Sequence, residues 1–110
     1  AWNMIVDFST EIRGLNGEEL KDGDGNSLRF SYVCIGALLA PPPEDAKLEG
    51  KKKLEQWELA KRINKALTEG ELSFDEVALL RTLIPRYYSI LVFGRCVDIL
   101  EAKNGCTDLK

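Results

Sequence analysis

The sequence of 110 residues contains no histidine, which removes the commonest general base and the commonest zinc ligand of proteins. Nucleophile pairs that depend on an imidazole are therefore excluded. The glycine-rich phosphate loops G-x-x-x-x-G-K-[ST] and G-x-G-x-x-G are also missing, as is C-x-x-C. Carboxylates are plentiful, but no pair of them is set apart by glycine-rich turns or an apolar pocket signal. We predict that the chain is not an enzyme and has no catalytic residue, cofactor or metal.

Cysteine is scarce, and the three residues Cys34, Cys96 and Cys106 do not have the spacing of a metal site. An odd number of cysteines without a recognisable signal peptide predicts reduced thiols in the cytoplasm. Cys34 and Cys96 lie in apolar helical runs and are predicted to be buried. Cys106 lies in a polar tail and is predicted to be exposed.

Positive charge is not in excess, because the chain has 15 basic and 18 acidic residues and its pI is near 5.0. This balance argues against a nucleic-acid-binding domain, and we also predict no membrane partner. The length and the 45% of hydrophobic residues predict one globular domain over residues 1–110. Within it we expect a strand region at 1–27, a helical core at 28–101 and a flexible tail at 102–110.

An acidic loop begins like a calcium site, with Asp22, Asp24 and Asn26 at the alternate positions of the first EF-hand ligands. The sixth and twelfth positions of such a loop require glycine and glutamate, but they hold Ser27 and Val33 here. Asp-Gly-Asp-Gly is a strong turn sequence. The loop is therefore predicted to be a solvated turn, and a weak adventitious cation site is the alternative.

The N-terminal region predicts short strands. "MIVDFST" alternates apolar and polar residues, and "EIRGL" and "EELK" flank Asn16-Gly17 as the two arms of a hairpin. A two-stranded hairpin is marginal alone, so it must pack on the helices that follow. Whether the natural chain starts at Met4, with Ala1-Trp2-Asn3 as additional residues, is left open.

Four helical segments follow, and the predicted fold is α+β, mostly α, with a short N-terminal β-hairpin packed on a bundle of about four helices. The expected ranges are 28–39, 48–67, 74–84 and 90–101. The expected caps are Ser27, the box formed by Ser73 and Glu76, and Ser89. The prolines of "APPPED" end the first helix, and Pro85 is expected to break the third. The third helix is apolar on nearly every side, Phe74 and Ala78 included, so we expect the other helices to pack around it.

Two apolar residues of the second helix fall outside its core stripe, which consists of Leu59, Ala60, Ile63, Ala66 and Leu67. These two residues are Leu54 and Trp57, on the side that should be solvated. Either the proline spacer or the N-terminal hairpin folds back over them, or they form an interface, since tryptophan is enriched in binding hot spots. The corner at Arg86, Tyr87 and Tyr88 is a second candidate contact. Its alternative is that both tyrosines cover core edges with their hydroxyls in water.

The second helix also carries a basic face, and this face provides an alternative function. Its members are Lys51, Lys52, Lys53, Lys61, Arg62 and Lys65. These side chains could contact nucleic-acid phosphates. However, glutamates interleave with them, and Glu58 can pair with Lys61 or Arg62 along the helix. Nucleic-acid binding is therefore the less favoured reading.

Five stretches give the sequence a family resemblance. They are "VDFSTEIRGLNGEELKDGDGNSL", "ALLAPPPED", "WELAKRI", "LSFDEVALLRTLI" and "YYSILVFGRCVDILE". Together, from about Ile5 to Glu101, they resemble small proteins encoded by tailed bacteriophages and prophages. The resemblance implies a non-enzymatic accessory role, such as particle or tail assembly, and supplies no functional residues. We therefore predict a helical protein–protein interaction module that binds itself or a larger protein, with Leu54, Trp57 and the corner 86–88 as contacts.

Overall fold

The computed structural model describes residues 3–43, 47–66 and 68–101. Within these residues the chain forms two strands and four helices. Their bounds in chain order are β1 Asn3–Asp7, α1 Phe30–Leu39, α2 Gly50–Ala66, β2 Glu69–Ser73, α3 Phe74–Tyr87 and α4 Ile90–Leu100. This architecture confirms the predicted class, α+β and mostly α, with a two-stranded antiparallel sheet that includes the N-terminal strand.

The second strand of this sheet comes from a part of the chain that the sequence predicted as a connection. β1 pairs with β2 in antiparallel register, with Asn3 opposite Ser73 and Asp7 opposite Glu69. Met4 and Val6 of β1 and Leu72 of β2 are buried. The segment "EGELS" has little strand propensity of its own, so its pairing with β1 and the burial of Leu72 determine its conformation.

The turn predicted at Asn16-Gly17 forms, but its arms are not regular strands. Gly17 has a φ of 86°, and the Gly14 amide donates to the Glu18 carbonyl at 2.8 Å. Only an isolated bridge joins Arg13 and Glu19 across the turn. The prediction of the turn is confirmed, and the prediction of two strand arms within residues 1–27 is wrong.

A side chain of α4 holds this turn in place. The Arg95 guanidinium donates from Nε to the Arg13 carbonyl at 3.1 Å and from Nη2 to the Gly14 carbonyl at 2.7 Å. Hydrogen bonds from a charged donor are stronger than neutral ones. The polar side of α4 is therefore used to dock the N-terminal region, which explains how these residues are fixed without a ladder of strand hydrogen bonds.

The first helix starts later than predicted, and Ser27 does not cap it. α1 begins at Phe30 after Arg29, which makes no side-chain capping bond, and the Ser27 hydroxyl donates to the Glu19 carboxylate instead. The first amides of α1 are satisfied by the N-terminal segment, since Phe30 donates to the Thr10 carbonyl and Ser31 to the Phe8 carbonyl. Backbone carbonyls thus take the role that a capping side chain usually has.

The helix α1 has no charged residue and lies between α2 and α3, packing against both. Leu59, Ala60 and Ile63 of α2 are buried as predicted, and Ala66 is partly buried, whereas the side chain of residue 67 is outside the described part. Gln56 is also buried, and its Nε2 donates to the Leu38 carbonyl at 2.9 Å. None of the helices within the described ranges is both long and apolar enough to cross a membrane.

The helix α3 begins as predicted, with the reciprocal capping box of Ser73 and Glu76. The helix does not break at Pro85 but continues to Tyr87. Proline has no backbone N–H and cannot donate a helical hydrogen bond, but Pro85 is exposed, so this missing bond lies on the solvent side of the helix. The prediction that this helix is buried on nearly every side is also wrong, since Phe74 is 65% exposed and Ala78 is exposed. α1 and α4 pack against α3, whereas α2 packs mainly on α1.

The last helix begins where the sequence placed it. The Ser89 hydroxyl accepts a hydrogen bond from the Val92 amide at 3.3 Å. Val92, Cys96 and Leu100 are buried. The tail 102–110, predicted to be flexible, lies outside the described residues, as does Cys106.

Candidate functional site

Two large apolar side chains of α2 are open to solvent. Leu54 is 61% exposed and Trp57 is 48% exposed. The ammonium of Lys61 lies 5.4 Å from the centre of the Trp57 ring and 3.3 Å from the Glu58 carboxylate. We call these four residues the outer face of α2. In the described part of the chain, neither the prolines nor the N-terminal turn buries Leu54 and Trp57, so the fold-back interpretation has no support.

An open groove lies between α2 and α3 beside this face. Its volume is about 1100 Å³, and Leu54, Leu59 and Leu79 provide apolar lining. The other lining residues are Lys51, Lys52, Glu55, Gln56, Glu58, Arg62, Ser73, Asp75, Glu76, Ala78, Thr82. Of these lining residues, the sequence predicted Leu54 as a protein contact and Lys51, Lys52 and Arg62 as the alternative phosphate contacts. The available signal was the helical spacing of Ala78, Leu79 and Thr82, which places them on one side of α3.

An ion pair spans this groove between its two helices. Arg62 donates to both carboxylate oxygens of Glu76, at 2.8 and 2.9 Å, and also to the Glu71 carbonyl at 3.0 Å. The same carboxylate accepts a hydrogen bond from the Ser73 amide. The hydrogen bonds from Arg62 hold the pKa of Glu76 below its usual value, with a smaller contribution from Ser73. Glu76 therefore serves as a structural carboxylate that links α2 to the start of α3.

This lowered pKa predicts a pH-dependent contribution to stability. The contribution is complete above the unfolded pKa of about 4.5 and is lost as the pH falls through the lower pKa of the folded state. We expect Glu76→Gln to lower the free energy of unfolding at pH 7 and to approach the wild type in acid, measured by urea unfolding across this range. Glu55→Gln, an exposed glutamate of α2, is the control. A stability difference for Glu76→Gln that stays constant with pH contradicts the assignment.

The corner at Arg86, Tyr87 and Tyr88 is partly structural. The Tyr87 hydroxyl donates to the Pro41 carbonyl at 2.9 Å, so it is not left to water alone. The Tyr88 hydroxyl lies against Gly36 of α1, where a β carbon would be only 2.4 Å from it. Burial raises the pKa of Tyr88 above its usual value. Both tyrosines are half-buried and pack on the core, whereas Arg86 is exposed.

The end of α1 connects the two candidate groups. Gln56, between Leu54 and Trp57 in sequence, binds the carbonyl of Leu38, and Tyr87 binds the carbonyl of Pro41. Leu38 and Pro41 are three residues apart, a distance of at most about 10 Å along the chain, so both candidate groups lie close to one short segment. Within that segment Leu39 is 51% exposed, which its sequence pattern did not predict. The structure thus places both groups around the end of α1.

Three of the six basic residues of α2 are paired with acids. Arg62 is taken by Glu76, Lys61 contacts Glu58, and Lys52 lies 3.9 Å from Glu55. The other three lysines, at positions 51, 53 and 65, are exposed. This arrangement agrees with a solvated, charge-paired helix face. Nucleic-acid binding through these residues remains a prediction.

The acidic loop is a turn held by its own backbone. One carboxylate oxygen of Asp22 accepts the amides of Asp24 at 2.8 Å and Asn26 at 3.1 Å, and Gly25 has a φ of 84°. These bonds confirm the predicted turn. Across the described ranges, no group of three or more histidine, cysteine or acidic side chains could hold a metal ion.

The two described thiols are poor nucleophiles. Cys34 and Cys96 are fully buried, as predicted, and neither forms a disulfide. Burial raises the pKa of Cys34 well above its usual value and raises that of Cys96 to about 12. The reactive thiolate form is therefore disfavoured at both positions.

Comparisons of this chain with family models, with curated proteins and with solved structures found no match. The resemblance to phage accessory proteins therefore stays a prediction.

Proposed function

We propose that this chain is a non-enzymatic helical interaction module and that the outer face of α2 is its docking surface for another protein. The observation that supports this most directly is the exposure of Trp57 next to Leu54 on one side of a helix. Neighbouring apolar side chains exposed to water mark interaction sites, and tryptophan is enriched among the residues that dominate the binding energy of interfaces. The Lys61 ammonium above the ring leaves a mixed apolar and charged surface, which is typical of interfaces that form and dissociate.

The neighbouring surfaces extend this site in a consistent way. Leu54 also lines the groove, so a partner on the outer face can reach into it. Leu39 and the exposed Arg86 lie towards the end of α1 and form the proposed edge of the contact. We place this role in the cytoplasm, as the cysteine content predicts, and an accessory role in phage particle assembly is the form that the sequence resemblance favours.

Affinity capture with three immobilised baits tests the proposal. The baits are the wild-type chain, Trp57→Ala and Ile90→Ala, where Ile90 is 90% exposed on α4 and serves as a matched apolar control. A partner, identified by mass spectrometry, is expected to bind the wild type and Ile90→Ala and to be lost from Trp57→Ala. Failure to find any protein, a second copy included, that distinguishes Trp57→Ala from the control would overturn the assignment of this face.

The same preparation distinguishes the nucleic-acid alternative. Titration of the purified chain with single-stranded and duplex DNA at low salt is expected to show no binding. Binding that weakens steeply with added salt and is lost on replacing Lys51 and Lys53 with glutamine would instead favour a regulator that contacts phosphates through α2.

A further inference from the structure

Three residues of the outer face of α2, together with Gly50 at the start of the helix, form a stripe that can pack against the same stripe of a second, antiparallel α2. Gly50, Leu54, Trp57 and Lys61 are separated by four, three and four residues, the spacing of positions that meet a second helix. Consider a second α2 packed antiparallel to the first, with the two-fold axis at the midpoint of residues 55 and 56. Leu54 of each copy then faces Trp57 of the other, and Gly50 of each copy faces Lys61 of the other. Each large side chain then meets a smaller one.

We propose that the outer face of α2 binds a second copy of this chain in an antiparallel, two-fold symmetric dimer. This inference rests on the proposed function and names the partner of the same surface. In such an interface one patch serves both subunits, so it must be complementary to itself. The stripe meets this requirement in size, since no described residue lies within 4 Å of the position of a β carbon on Gly50, which leaves room for the Lys61 stem of the other copy.

The charges next to the stripe are complementary in the same arrangement. Lys51 and Glu58 are seven residues apart and therefore lie on the same flank of α2. A two-fold axis perpendicular to the helices brings this flank of one copy against the same flank of the other. Lys51 then lies near Glu58 of the second copy, and symmetry makes two such pairs.

Both members of this pair are available in the single chain. Lys51 has no acidic partner within ion-pair distance among the residues that the structure describes. The Glu58 side chain is 67% exposed and contacts only Lys61 among these ion pairs. A carboxylate has two oxygens and can accept a second cation.

Sedimentation of the purified chain over a concentration series measures the dimer directly. We expect the wild type to form dimers and both Leu54→Ala and Trp57→Ala to raise the dimer Kd. The increase for Trp57→Ala is expected to be on the order of a hundredfold, because in a symmetric dimer the substitution removes two tryptophan side chains from the interface. Ile90→Ala removes an apolar side chain of α4 that is even more exposed than Leu54 or Trp57, and it is expected to leave the Kd unchanged. All substituted side chains are exposed, and circular dichroism checks that each variant stays folded.

A charge exchange tests the antiparallel register. Lys51→Glu and Glu58→Lys alone each place like charges together at two symmetric sites and are expected to weaken the dimer about tenfold. The double variant Lys51→Glu/Glu58→Lys restores both pairs with reversed sign and is expected to return close to the wild-type Kd. A parallel pair of helices does not bring these flanks together, so it predicts no such rescue.

The outcomes separate this inference from the proposed function. A strict monomer at the highest concentration attained overturns the second copy as the partner, while the capture experiment with three baits still decides the docking face. A dimer that is insensitive to Leu54→Ala and Trp57→Ala overturns this inference, because the second copy then binds elsewhere, and the capture experiment again decides the docking face. A dimer that depends on Trp57 but is not rescued by the charge exchange overturns the antiparallel arrangement.

Discussion

Leu80→Ala and Leu83→Ala are each expected to lower the free energy of unfolding by about 2–5 kcal/mol. Leu80 is fully buried and Leu83 is nearly so, both on the side of α3 that faces the core. Truncation removes apolar contacts and leaves a cavity that close-packed neighbours fill only in part. Losses of this size are a large fraction of the stability of a small domain. Urea unfolding of the two variants against the wild type gives the values.

Leu91→Ala is the matched control for these two substitutions. Leu91 lies on α4, is only half-buried and is not among the residues packed against the core cluster. The same change of side chain should therefore cost much less than at position 80 or 83. If Leu91→Ala were as damaging as the other two, both the assigned core of α3 and the assigned outer side of α4 would be wrong.

Phe8→Ala is expected to have the largest effect of all, about 3–5 kcal/mol. The Phe8 ring is buried and stacks on Phe30 with ring centres 5.7 Å apart and nearly parallel planes. Its ring also lies against Gly70 of β2, where a β carbon would be 2.9 Å away. The residue thus joins the end of β1 to α1 and β2, and its loss leaves a void where the three elements meet.

Thermal and urea unfolding of Phe8→Ala, Phe8→Leu and Leu15→Ala test this role. Phe8→Leu keeps part of the buried volume and should fall between the wild type and Phe8→Ala. Leu15 is 79% exposed at the tip of the N-terminal turn, so Leu15→Ala should change stability by no more than about 0.5 kcal/mol. A small loss for Phe8→Ala would show that the N-terminal segment is not an integral part of the core.

The sequence alone determined the features that depend on neighbouring residues. The turn at Asn16-Gly17 needs a positive φ that glycine adopts without strain, and the capping box at Ser73 and Glu76 closes over three residues. The core stripe of α2 and the position of Trp57 outside that stripe follow from helical period in the same way, whereas the exposure of Trp57 is known only from the structure. Such signals are local, so a single segment contains all the information that they require.

Only the tertiary structure decided the features that join distant parts of the chain. β2 exists because β1, more than sixty residues earlier, supplies its hydrogen-bond partners. α1 starts at Phe30 because carbonyls of the N-terminal segment satisfy its first amides, and α2 packs on α1, which leaves the groove beside α3. The tie between Arg95 and the N-terminal turn has the same origin. The sequence pattern of a single segment could not reveal these contacts. Each contact depends on which surfaces the whole chain brings together as it buries its apolar residues.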